Sequence, residues 1–380
     1  MLPKACNGIV ANRYKLFYVC GGSMKKSRFP LFVFLLAVTV QVFLLTACSN
    51  NKKESKAATI TDMVGDVVEV PKNPKRVAVL ARSAVDMLVA FGLGENITGI
   101  YYTVFDNEWA GILYPNINSY QKYNYNITLE TYLEHNVELV FCPEQYLAEN
   151  LREHGIPAVT VSQYGNPNYD NYVFYFADMI TQIWDDKAVA EKVGTWKVGF
   201  AEIRSQITTA LVNVQTTKTL YYIRGDKNQG ITYTENNEKS IQNTICRYLK
   251  LEYASKGFTT SEPTAEAILE LNPDYIIVGG AYQNVIINAA KTSTIWQNLS
   301  AFKNGNVFNI GVGFVMFEQN GVELTVYLAD LANKIYPEIF SFDVEGLLKK
   351  TMQTYFEAEL SDTDIYNMLH GLRRNGQPLI

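Results

Sequence analysis

The chain has 380 residues, 48% of them apolar and 19% charged, with a net charge of −5. That length and apolar share allow roughly two domains, each with its own core. Residues 1–47 hold six of the 33 basic side chains and none of the 38 acids, so the body that follows is acidic, which argues against a nucleic-acid partner.

Taken in chain order, Met24-Lys25-Lys26-Ser27-Arg28 is a positively charged leader, followed by an apolar stretch over residues 31–45 and then by Leu45-Thr46-Ala47-Cys48. About 15 apolar residues interrupted by Gln41 fall short of the roughly 20 needed to span a bilayer. The tetrapeptide resembles the lipobox of bacterial lipoproteins. On that reading residues 1–47 are a signal peptide with its true start at Met24, Cys48 is lipidated, and residues 48–57 are a polar tether.

Two β-rich runs around Val64-Gly65-Asp66 predict a hairpin. Residues 77–80 predict a buried strand, followed by a helix with Ser83 as N-cap and Gly92 at its stop. Next come a strand in NITGIYY, a helical turn or two over 130–135, and a strand in ELVFC. A helix ending at Gly155 and a strand in IPAVTVS complete the half. Strands alternating with helices on short loops predict an α/β lobe with a largely parallel sheet over 58–170. Residues 171–214 carry helical periodicity without a strand signal or a proline, and predict one long connecting helix, with Gly194 and Gly199 its weak points. Alternation resumes over 215–380, including a long helix from Phe317 to a stop at Pro337, a last helix, and a polar tail. Cys142 and Cys246 lie in apolar runs of different halves and read as core thiols without a disulfide.

One unit occurs twice. TLETYLEHNVELV (128–140) and TAEAILELNPDYI (264–276) align Thr128 with Thr264, Glu130 with Glu266, Leu133 with Leu269, and Asn136 with Asn272. Each reads as a threonine-capped helix running into a strand, with Leu133 and Leu269 packing the helix down. Glutamates in a first turn suit the helix dipole, which accounts for them without a further role. Their matched placement in both halves also suits docking to a two-fold partner.

The order and spacing of these stretches resemble the substrate-binding lipoproteins of ABC importers, in the group that carries iron–siderophore, haem or cobalamin. The residues that carry the resemblance include VPKNPKRVAVLARSAVDMLVAFGLGENITGI, TLETYLEHNVELVF, YYIRG, TAEAILELNPDYIIVGG and WQNLSAFKNGNVFNIG. The resemblance implies two Rossmann-like α/β lobes joined by a single long helix, with a ligand cleft between them, and a stiff helical connector would limit the lobes to modest closure. It also implies an extracytoplasmic, lipid-anchored monomer that delivers its ligand to a permease dimer with a cytoplasmic ATPase. Glu130 and Glu266 would dock on that permease.

Ligand residues are expected where strands end. The candidates are Arg82, Tyr101, Tyr102, Glu144, Tyr146, Tyr164, Arg224, Tyr282, Phe314 and Met316. Arg82 and Arg224 supply one cation per lobe for an anionic iron chelate, while aromatics would line an apolar face. The alternative is that Arg224 secures a loop and the tyrosines are core. Relatives often carry Trp-Asp/Glu-Arg-Pro-Gly where this chain has GVGFVMFEQNG, which leaves the ligand class open. Three scattered histidines argue against direct metal binding and against a histidine-ligated haem. A ferric siderophore therefore leads haem and cobalamin, with no resident cofactor. No hydrolase or nucleotide-binding motif is present, so the chain reads as a non-enzyme. A secreted two-lobe hydrolase or a surface lipoprotein without a small ligand are the readings outside this class.

Overall fold

A computed structural model describes residues 56–162, 169–225 and 228–380, leaving out the signal, Cys48 and Tyr164. The hairpin is β1 (Ala57–Thr61) with β2 (Val67–Pro71), antiparallel and closed by Asp62, whose Oδ1 accepts Val64 and Asp66 N–H. β3 (Val77–Val79) leads into α1 (Arg82–Ala90). The helix starts one residue before the expected cap. Its N-cap is Ala81 with no side-chain cap, and Ser83 lies inside the first turn. Gly92 does stop it, at φ 89°.

β4 (Ile97–Tyr101) is followed by α2 (Glu108–Leu113), β5 (Gln121–Tyr123), α3 (Leu129–Glu134), β6 (Leu139–Cys142), α4 (Gln145–Glu153) and β7 (Ala158–Thr160). The five strands pair in the order β5-β4-β3-β6-β7, all parallel. β3 and β6, at its centre, are wholly buried, as strands covered on both faces must be.

The connector is two helices rather than one. α5 (Tyr169–Ile183) and α6 (Lys187–Ala210) are separated by Trp184-Asp185-Asp186. Asp186 caps α6 by accepting Ala188 and Val189 N–H, and Asn73 holds the break from outside through Ile183 O and Asp185 N–H. An Asp pair after a tryptophan is a capping signal that apolar periodicity overrides on paper. Gly194 and Gly199 both sit within α6, which at 24 residues is roughly 36 Å long. Val189, Val193, Trp196, Phe200 and Ile207 form its buried stripe.

The second lobe runs β8 (Thr219–Ile223), α7 (Ile241–Tyr248), β9 (Glu252–Tyr253), α8 (Ala265–Leu271), β10 (Tyr275–Val278), α9 (Gln283–Thr292), α10 (Ser300–Lys303), β11 (Val307–Asn309) and α11 (Leu324–Ile335). Its sheet is parallel, in the order β11-β10-β8-β9. α11 begins seven residues later than the periodicity suggests. Residues 317–323 are irregular, and Gly321 among them passes so close to Asp86 Oδ2 and Glu323 Oε2 that a Cβ there would meet them at 2.4 and 3.1 Å.

α12 (Val344–Phe356) returns to α1 of the first lobe, where Tyr355 packs edge-on to Phe91. The polar tail is also structured: α13 (Asp362–Leu369) carries a Ser361/Asp364 capping box, and a bridge pairs Leu372 with Pro378. Both lobes belong to one compact unit over Ser55–Ile380. Among the described residues no helix is long and apolar enough to cross a membrane. Cys142 and Cys246 are separate buried thiols, both made harder to ionise by burial.

Candidate functional site: the cleft between two parallel sheets

The C-terminal ends of strands from both sheets open on one cleft of about 770 Å³. Ala81 and Arg82 follow β3, Thr103 follows β4, Tyr125 follows β5, and Pro143 and Glu144 follow β6. From the other lobe, Arg224 and Gly225 follow β8, Gly280 to Tyr282 follow β10, and Phe314 to Met316 follow β11. Parallel strands leave their carboxyl-end loops as the natural ligand crevice, and the volume suits a small-molecule complex.

Close backbone packing shapes the second lobe's wall. A Cβ on Gly225 (φ 76°) would lie 1.9 Å from Gly279 O, and one on Gly280 (φ 73°) 2.7 Å from Arg224 O. Only glycine lets the loops after β8 and β10 touch. Gly280 N–H then donates to Glu318 Oε1 at 3.1 Å.

Glu318 lines this wall at 6% exposure, and its Oε2 has no hydrogen-bond partner among the described residues. Burial pushes its carboxyl up to about 7, against the opposing pull of its own and Gly280 N–H, Arg82 and the Tyr222 hydroxyl. Arg224 Nη1 lies 3.4 Å from Glu235 Oε2, and its guanidinium sits over the Tyr233 ring. Arg82 is exposed on the opposite wall.

Deeper between the lobes, Asp86 Oδ2 accepts Val322 N–H at 2.7 Å and Glu323 Oε1 accepts Phe314 N–H at 2.8 Å. Both carboxyls are fully buried. Burial first, and then the neighbouring Glu323, raise Asp86 well above the usual carboxylate range; burial likewise raises Glu323.

Of the sequence candidates, Arg82, Glu144, Arg224, Tyr282, Phe314 and Met316 come together on this cleft. Phe314 is fully buried, with its ring stacked on Phe356. Tyr101 and Tyr102 lie outside the lining, although Tyr101 stacks on Tyr125, which does line it, at 4.4 Å. Tyr146 is exposed on the first turn of α4, away from the wall. Tyr164 and Cys48 fall outside the described residues.

Sequence reading missed Tyr125, Tyr222, Gln242, Glu318, Arg373 and Leu379, all lining residues. The signal for Glu318 was present in FEQNG, where a carboxylate interrupts an apolar run. His135, His154 and His370 are all helix C-caps outside the cleft. No cluster of three His, Cys, Asp or Glu side chains that would hold a metal occurs among the described residues.

The repeated unit is equivalent in three dimensions. Thr128 and Thr264 both hold N-cap positions, with Glu130 and Glu266 exposed in the first turns, but the caps differ. Thr264 Oγ1 accepts Ala267 N–H, whereas the Thr128 hydroxyl makes no such bond and meets Thr131 Oγ1. The Glu130 carboxyl is held below its usual range by its own backbone N–H and the Thr128 hydroxyl. Leu133 does not pack its helix down: it is 67% exposed, while Leu269 is half-buried. The residues that turn inward are Tyr132 and Ile268, four places after each cap, where the helical phase meets the sheet.

Comparison with known proteins agrees with this architecture. No family profile matches the chain. A protein of Bacillus subtilis named a probable siderophore-binding lipoprotein, YfiY, is 25% identical over 334 residues, 81% of this chain and 97% of the relative. The iron(3+)-hydroxamate-binding protein FhuD of the same organism is 24% identical over 298 residues, 73% and 90% of the two chains. The molybdate periplasmic binding protein MolA of Haemophilus influenzae superposes with a TM-score of 0.67 at 16% identity, over 80% of this chain and 99% of that one. The chain shares the fold of ABC-importer solute-binding proteins. The family resemblance read from the sequence therefore holds across the described body. The relatives are named as binding proteins, and the two-lobe α/β architecture expected from the sequence is the one observed.

Proposed function

We propose that this protein captures an iron complex, a ferric siderophore foremost, in the inter-lobe cleft and delivers it to an ABC permease. The observation that carries the reading is a single cleft at the carboxyl ends of two parallel sheets, with Arg82 on one wall and Arg224 on the other. The siderophore and hydroxamate names of its relatives support the ligand class. Binding requires recognition and release, with no chemistry on the ligand. Tyr101 and Tyr102 buttress the first-lobe wall through Tyr125, and Tyr282, Phe314 and Met316 contribute to the other.

In this reading Glu130 and Glu266 pair with arginines of the permease dimer, supplying orientation as well as attraction. Cys48 carries the lipid that holds the protein on the outer face of the membrane. Tryptophan-quenching titration against ferric siderophores, haem and cobalamin tests the proposal. Saturable quenching by a ferric siderophore is expected, and no response to any of the three classes overturns it.

A further inference from the structure

Residues 371–380 fold as a hairpin that reaches the cleft, where Arg373, Leu379 and Ile380 form part of the lining. The hairpin is pinned to both lobes. From the second lobe, Asn284 Nδ2 donates to Gly371 O at 2.8 Å, and Arg374 Nε donates to Asp364 Oδ1 at 2.9 Å. On the first lobe, the fully buried Trp109 donates its Nε1 proton to Leu372 O at 2.8 Å, and Glu108 Oε1 accepts Arg374 N–H. Arg373 closes the hairpin on itself by donating from both Nε and Nη2 to Leu379 O, and the exposed side chain lines the cleft.

Entry to the hairpin is specified by Gly371 (φ 60°). A Cβ there would meet Gln283 Nε2 at 2.5 Å and Ile310 O at 2.7 Å. A tie between lobes at the mouth of a cleft does two things. It limits how far the walls separate, and it adds side chains that neither sheet supplies.

We propose that the 371–380 hairpin is a working wall of the binding site: a strap that holds the two lobes at a set spacing and places Arg373 and Leu379 against the bound complex. This rests on the binding role given above for its ligand-contact part, whereas the strap stands on the geometry alone.

Two readouts separate these parts. In the ligand-free protein, hydrogen exchange of 371–380 followed by mass spectrometry should show protected amides, because Arg373 N–H donates to Gln377 O and Gly376 N–H to Arg373 O. Trp109→Phe removes one tie while keeping an aromatic ring, and should speed exchange of this segment at least tenfold, well beyond the acceleration that the smaller buried side chain brings to the strands of the two sheets. Wild-type amides exchanging as fast as a free peptide, or no acceleration in W109F, overturn the strap. For binding, ferrioxamine B (a ferric trihydroxamate), a ferric tricatecholate and haem serve as probes. Arg373→Ala should weaken whichever of them the wild type binds by tenfold or more, and Arg373→Lys should restore part of the loss. Unchanged affinity in R373A overturns the contact role. If the wild type binds none of the three, the iron-complex reading falls and the exchange arm alone decides the strap.

Discussion

The two copies of the repeated unit, residues 128–140 and 264–276, have the same scaffolding but lead to different loops. Both begin with a threonine at the N-cap position and bury the residue four places on, at 2% exposure for Tyr132 and 0% for Ile268. Both then turn through a left-handed asparagine, Asn136 at φ 52° and Asn272 at φ 43°. Each ends in an acid that accepts the N–H at the start of a neighbouring parallel strand. Glu138 Oε2 accepts Arg76 N–H, and Asp274 Oδ2 accepts Thr219 N–H. Past the strands they part. β6 runs into Pro143 and the exposed Glu144, whereas β10 runs into Gly279 and Gly280, which pack on Gly225 and hold Glu318. The shared half of each unit builds the outer surface, and the divergent half builds the cleft.

The sharpest break in that comparison lies at the two exposed glutamates. Replacing both Glu130 and Glu266 with Ala should abolish uptake in cells while the affinity for ligand stays at the wild-type value. Either single replacement should reduce uptake less. Loss of ligand affinity in the double variant would refute separate docking and binding surfaces.

The buried positions test whether the copies are energetically as well as geometrically equivalent. Tyr132→Ala should destabilise by roughly 3–5 kcal/mol and Ile268→Ala by roughly 2–5 kcal/mol. Urea unfolding measures both, and a change under about 1 kcal/mol at either site would show that the copies are not interchangeable supports.

Glu318 belongs to the divergent half of the second copy, where Gly280 N–H holds it. Its folded-state carboxyl titrates near 7 instead of the ordinary 4.5, so the contribution of its protonated form is complete below about 4.5. That contribution is lost as pH rises through about 7, an effect of roughly 3 kcal/mol. The raised carboxyls of Asp86 and Glu323 act in the same direction. Glu318→Gln should therefore raise stability at pH 8 and flatten its fall between pH 5 and 8. Denaturant unfolding across that range measures this, and an unchanged slope would count against a buried, titrating Glu318.

The smallest effects belong to the two asparagines. Asn136→Ala should lose about 1 kcal/mol and Asn136→Gly close to nothing, because the left-handed backbone is chiefly at stake there, whereas both Asn272 variants also lose the bonds its side chain makes with Ser300 N–H and Oγ. Thermal unfolding of the four variants would reveal any asymmetry.

Much of this was legible along the chain because local rules are local. Period-2 and period-3.6 apolar patterns located most helices and every sheet strand except β5 and β9, short edge strands with too few residues to show a period, and Gly92 and Gly155 marked helix ends. Threonine caps placed Glu130 and Glu266 on exposed first turns. Arg82, Glu144, Arg224 and Tyr282 could be named because ligand loops follow strand ends in open α/β sheets.

The sequence by itself determined most of the longer strands and helices, that the body would be α/β, and that one unit is used twice. Only the tertiary structure decided how those segments meet. It broke the connector at Trp184-Asp185-Asp186, because Asn73, over a hundred residues earlier, receives that turn. It left Leu133 outside and turned Tyr132 in, because helical phase is set by the sheet beneath. It buried Glu318 and brought Arg373 to the cleft, because Gly280, which holds Glu318, and Trp109, which holds Leu372 beside Arg373, come from distant segments. Caps and periodicities depend on neighbours within a turn or two, which the sequence displays, whereas burial and convergence depend on contacts that exist only once the lobes have closed on one another.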